Sequence, residues 1–93
     1  MPLRVACEAL EKGVCLEVRY RHENLCLEVH DAGYGRDGEP LVHGWQRVGP
    51  SGGGWRLVHL KEARNPSVSG YFSEAPRPGY RPNPAITEVV CHA

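Results

Sequence analysis

Apolar and polar positions change their period early in this chain. Leu3, Ala6, Cys7 and Leu10 recur at i, i+3, i+4 and i+7, a single helical stripe, while Arg4, Glu8, Glu11 and Lys12 take the remaining surface. Gly13 stands where a left-handed cap would end such a helix, so the pattern predicts one helix over residues 2–12. A helix this short is marginal alone and has to lean on a neighbouring sheet. From Val14 the period drops to two. Val14, Leu16, Val18 and Tyr20 face one way, and Glu17, Arg19 and Arg21 the other, which predicts a strand with one buried face. His22-Glu23-Asn24 reads as a tight reversal. Leu25, Leu27 and Val29 then alternate with Cys26, Glu28 and His30 as an antiparallel partner strand.

Residues 33–40 read as a turn-rich loop with Asp37-Gly38 at its tip, and a third strand runs from about Leu41 to Val48. The glycine-rich run 49–54 predicts a flexible loop. Trp55 to Leu60 gives a fourth strand, residues 61–64 a single helical turn, and Val68 to Phe72 a short fifth strand. Residues 76–82, rich in proline, should lie extended over the surface. Asn83-Pro84 suits an N-cap and first helical residue, and Ile86 to His92 reads as a short helix, a strand, or one passing into the other. No internal repeat or domain boundary interrupts the 93 residues, which have room for one core. One helix and about five short strands predict a single mostly-β domain, a small curled barrel.

The order of landmarks along the chain is more specific than any one of them. Glu8-Ala9-Leu10 and a closing glycine lead into Leu16-Glu17-Val18-Arg19-Tyr20. Leu27-Glu28-Val29-His30 and Gly33 come next, then Gly44-Trp45-Gln46, Gly49 and Ser51, and Gly54-Trp55-Arg56-Leu57. Phe72 and Arg77-Pro78-Gly79-Tyr80 close the series. Over nearly the whole chain this resembles the short stand-alone branch of the WYL domain family. The resemblance implies a five-stranded Sm-like, Src-homology-3-like barrel with an N-terminal helix. It also implies a ligand-sensing module of the kind found in bacterial transcriptional regulators and phage-defence proteins, with nucleotides or nucleic acid as ligand. The chain has no room for the helix-turn-helix segment most of those regulators carry. Two arginines of the family's ligand groove are replaced, one by Cys26 and one by His59, and Val29 stands for a proline. A guanidinium suits phosphate oxygens, so both losses bear on phosphate binding.

Composition narrows the picture modestly. Eleven glycines and 8 prolines imply many turns. Lysine plus arginine and aspartate plus glutamate balance at 11 each, which removes any bulk-charge case for nucleic-acid binding but leaves a local basic groove open. The first residues contain no apolar core of a secretory signal, and no run approaches the roughly 18 apolar residues that cross a bilayer. The expectation is therefore a cytoplasmic protein, not bound to a membrane, with its four cysteines reduced.

For chemistry, the candidate ligand-binding set is Tyr20, Cys26, Glu28, His30, Gln46, Trp55, Arg56 and His59. Arg56 and a protonated His59 would meet an anion, and Tyr20 and Trp55 offer stacking faces. Strict alternation puts Arg56 and His59 on opposite faces of their strand, so a bulge would be needed to unite them. The competing reading makes Tyr20 and Trp55 core aromatics and the charges a solvated face. No two cysteines lie closer than eight positions, so paired zinc-ligand spacing is absent, although Cys26, His30 and His59 could converge across strands. A Cys26 nucleophile with His30 or His59 as base lacks any surrounding elbow motif. The 49–54 loop lacks the Lys-Ser/Thr that completes a P-loop. No cofactor, metal or catalytic residue is expected. Binding is expected rather than catalysis, of a small anionic ligand, a nucleotide or single-stranded nucleic acid. The alternative is a protein-interaction adaptor that homodimerises by edge pairing or engages a regulatory partner, with Trp45 or Tyr80 in its contact surface.

Overall fold

The computed structural model describes residues 3–47 and 53–93. A helix, α1 (Arg4–Lys12), precedes strands β1 (Val14–Tyr20), β2 (Glu23–Tyr34), β3 (Pro40–Gln46) and β4 (Gly54–His59). A 3-10 turn (Leu60–Glu62), β5 (Ala63–Phe72) and β6 (Glu88–His92) complete the chain. The helix ends as its sequence predicts: Gly13 adopts φ 69°, ψ 31°, and its N–H reaches the carbonyls of Ala9 and Leu10.

All six strands are antiparallel in one sheet of order β4-β3-β2-β1-β5, with β6 also against β2. The long β2 explains this branching. Its first half, Glu23 to Leu27, pairs with β1, and its second half, Asp31 to Tyr34, pairs with β6. Against β3 the ladder slips between Val29 and Asp31, where His30 is the extra residue. The bulge puts His30 and Asp31 in succession on the outer side. The sheet is not closed: β4 and β5, its ends, are not hydrogen-bonded to each other. The expected barrel strands are present, but the C-terminal segment adds a sixth.

The inner face is apolar. Leu16, Val18, Tyr20, Leu25, Leu27, Val29, Ala32, Val42 and Val58 pack against Leu3, Ala6 and Ala9 of α1. Gly44 is required where β3 crosses the bend of β2, because a Cβ there would lie 2.2 Å from the carbonyl oxygen of Glu28. The outer face near the bend is covered by residues 73–83, which cross it without regular structure.

Several boundaries differ from the sequence reading. The β1–β2 reversal is made by Arg21 and His22, both with positive φ (48° and 70°), so Glu23 and Asn24 belong to β2. No helix starts at Asn83-Pro84. The Asn83 side chain instead accepts the Ala85 N–H in a local turn, and the chain passes into β6. Cys7 and Cys91 form a disulfide that ties α1 to β6, which corrects the expectation of four reduced thiols. Only Cys15 and Cys26 are free. Most of the glycine loop expected over 49–54 lies outside the described residues. No helix among the described residues is long and apolar enough to cross a membrane.

Candidate functional site

The bend of β2 builds a polar network on the outer face. Glu28 is fully buried, yet it receives hydrogen bonds from the Arg77 guanidinium and from Arg47 Nε (3.1 Å). Burial pushes its carboxyl up, but bonds from Arg77, the Glu74 backbone and Arg47 outweigh that and hold it below the usual carboxylate range. Arg77 also lies over the Trp45 ring, 4.9 Å from its centroid, and is therefore held between an indole and a carboxylate.

His30 is satisfied on both ring nitrogens. Its Nδ1 lies 2.8 Å from the Glu28 carbonyl oxygen, and its Nε2 lies 2.9 Å from the Arg77 backbone N–H, which donates. That pattern fixes the neutral Nδ1–H tautomer. Burial is the main cause lowering this imidazole's pKa below the ordinary histidine value. The next outer residue, Asp31, bonds His43 Nδ1 at 2.7 Å and also faces Tyr80. Burial, with the Asp31 charge and hydrogen bond, pushes the Tyr80 phenol up to about 12.

An aromatic cluster rests on this network. Trp55 stacks on His43 (5.3 Å, 24°), meets His30 edge-on (4.8 Å, 77°) and lies 5.9 Å from Tyr80. The Trp55 ring borders a cleft of about 330 Å³ lined by His43, Gly79, Arg81, Pro82, Asn83 and Pro84. Trp55 remains 38% exposed beside it. The cleft therefore offers a part-exposed aromatic ring, an arginine among its lining residues, and a His43 held by its buried bond to Asp31.

The eight sequence-derived candidates fall into separate places. Cys26, Glu28, His30 and Trp55 are on the outer face. Tyr20, Gln46 and Arg56 lie on the inner side at one end of the core. There Arg56 Nη1 donates to Gln46 Oε1 at 2.6 Å, its Nη2 lies 3.4 Å from Glu23, and its guanidinium stands over the Tyr20 ring. Gln46 Nε2 is buried with no hydrogen-bond partner among the described residues. The β3–β4 ladder runs without a bulge, so Arg56 and His59 stay on opposite faces, and His59 pairs with Glu39 at 3.3 Å. Among the described residues no three histidine, cysteine, aspartate or glutamate side chains gather as metal ligands, so Cys26, His30 and His59 do not converge. Trp45 and Tyr80, named for the contact surface of the alternative adaptor, are half-buried here, Trp45 under Arg77 and Tyr80 in the aromatic cluster.

Sequence reasoning missed His43, Asp31, Arg77 and Arg81. His43 alternates outward between Val42 and Gly44, which was a readable signal. Asp31 was hidden by the bulge, and the two arginines belong to a segment without period. In comparisons with known proteins the chain matches no family model, no curated protein and no solved structure.

Proposed function

We propose that this protein is a ligand-sensing module, WYL-like in kind, that takes a planar anionic ligand in the outer cleft, a nucleotide or a stretch of single-stranded nucleic acid. The observation that carries this reading is the exposed Trp55 face, braced by His43 and set beside Arg81 in a cleft of about 330 Å³. That volume is at the lower end of small-molecule sites and suits one base with its sugar. A base stacks on the indole, and Arg81 meets its phosphate. Stacking tolerates any base, so such a site senses a class of ligand rather than one sequence. The strand order, with a 3-10 turn between β4 and β5, supports the finer fold reading of a small Sm-like or Src-homology-3-like barrel.

Tryptophan fluorescence titrations with nucleoside monophosphates and short oligonucleotides test this directly. Saturable quenching is expected, and Trp55→Ala should weaken binding about fivefold or more, given about 1–3 kcal/mol per stacked base. Absence of quenching by any of them at millimolar concentration overturns the reading.

A second reading, a homodimerising or partner-binding adaptor, draws on a different surface. β5 is an edge strand, and Tyr71 and Phe72 near its end are 61% and 80% exposed. Pairing of that edge with another strand would cover both rings. Light scattering tests it, since a monomer at high concentration that captures no partner removes it.

A further inference from the structure

The tip of the β1–β2 hairpin and the start of β5 form a second cleft, of about 360 Å³, lined by Arg19, Arg21, His22, Glu62 and Arg64. It lies on other strands than the Trp55 cleft, and ligand binding beside Trp55 does not depend on it. Three features of its construction cost stability. Arg19 and Arg64 are direct partners in the β1–β5 ladder, and like charges placed directly opposite repel. Among the described residues neither makes an ion pair. Next, the ladder carries a bulge between Glu17 and Arg19, where β5 spends an extra residue and Asn65 takes φ 53°. Finally, the hairpin turn places Arg21 and His22 at positive φ, where glycine or asparagine is the favoured choice. Of the three described non-glycine residues with positive φ, Arg21 and His22 line this cleft and Asn65 follows its Arg64 in sequence.

Each departure has the same effect: it brings another basic group to this spot. Glu62 opposes only part of the charge, because it is taken up by a two-point bond from Arg21 (3.1 Å and 2.7 Å), and that bond fixes the Arg21 guanidinium. Three arginines thus face one carboxylate, a local basic excess in a chain whose charges cancel overall. Places where a sequence breaks local rules together are places where function has overridden stability. A bound oxyanion would turn the Arg19–Arg64 repulsion into a two-armed clamp, since guanidinium forks match phosphate oxygens.

We infer that this cleft is a phosphate-binding site in which Arg19 and Arg64 grip the oxygens of one phosphate group and Arg21, held by Glu62, completes the wall. The phosphate is either the end of a free small molecule or part of a nucleic-acid backbone. Amide NMR titrations of the whole protein at low salt, with pyrophosphate in one arm and a short single-stranded oligodeoxynucleotide in the other, separate these sources. Saturable shifts at Arg19, His22 and Arg64 are expected in at least one arm, and the tighter arm identifies the source. Arg19→Gln and Arg64→Gln should each weaken binding about tenfold, and the double variant should abolish it. Without ligand, both variants should melt at or above the parent temperature, because repulsion has been relieved. The inference is overturned if neither ligand shifts these amides at millimolar concentration, or if the shifts persist in the double variant. It is equally overturned if the unliganded variants melt several degrees lower, which would make the arginines structural. Loss of the Trp55 response alone, with these amides still shifting, would count against the outer-cleft reading and leave this one standing.

Discussion

Replacing Glu28 by glutamine keeps the shape of the side chain and removes its charge. In the parent protein the carboxylate is fully buried and bonded to Arg77 and Arg47. Removing one partner of a buried ion pair costs about 3–5 kcal/mol when the other is left dry. Here the arginine side chains are 33% and 25% exposed, so water recovers part of that loss. A cost of about 2–3 kcal/mol remains, which for a domain of this size lowers Tm by about 10–20 °C. The pH dependence sharpens the test. Because the folded carboxyl lies below its unfolded value of about 4.3, its contribution is fully present above that pH and is lost as pH falls through the folded value. Melting curves from pH 7 down to about 3 should therefore show the parent losing stability in acid and Glu28→Gln losing less, with the curves converging. A drop of less than about 1 kcal/mol at neutral pH, or parallel acid limbs, would refute the reasoning.

Other consequences are as direct. His30 should remain neutral to below pH 6.5 in a nitrogen-detected NMR titration; its contribution is present above that pH and lost as pH falls through its lowered folded value, and titration at or above 6.5 refutes the assigned bonding. Reducing the Cys7–Cys91 disulfide, which spans a separation of 84 residues, should cost up to about 4.5 kcal/mol on loop-entropy grounds; an unchanged Tm under reductant would show that the link contributes nothing. Cys15, whose thiol is pushed up to about 12 chiefly by burial, should resist alkylation until the protein unfolds, as read by mass spectrometry of trypsin fragments. Gly44→Ala should destabilise by about 2 kcal/mol or more through collision with the Glu28 carbonyl, whereas Gly70→Ala, with open space around it, should be close to neutral; equal effects in urea melts would refute the close approach.

Periodicity made most of the fold legible. The stripe Leu3-Ala6-Cys7-Leu10, the terminal Gly13 and the alternation from Val14 to Tyr20 gave α1 and β1 nearly to the residue. The limits were places where periodicity carries no information. Arg21 and His22 make a turn usually left to glycine or asparagine, so the β1–β2 reversal read one to two residues late. The bulge at His30 breaks alternation, and it delivers Asp31 to the same face. The candidate site was half legible for the same reason. Glu28, His30 and Trp55 are on predicted strands and were found, whereas Arg77, Tyr80 and Arg81 are placed by tertiary contacts of an aperiodic segment. Tyr20, Gln46 and Arg56 do form a cluster, but on the inner side of the sheet. The Cys7–Cys91 pairing joins elements far apart in sequence, and no spacing rule reveals it.

The two covers of the β2 bend differ in kind, and temperature should pull them apart. On the inner side the cover is hydrocarbon, whose grip weakens on cooling and carries most of the heat-capacity change of unfolding. On the outer side residues 73–83 are held largely by bonds to Glu28, His30 and Asp31. Lifting that segment away uncovers Tyr80, the prolines and the Trp45 and Trp55 rings they rest on, but leaves the hydrocarbon core closed. Its opening should therefore have a smaller heat-capacity change than unfolding of the core and respond less to urea, while remaining sensitive to acid. Near freezing, then, the segment that walls the Trp55 cleft should loosen less than the core beneath it.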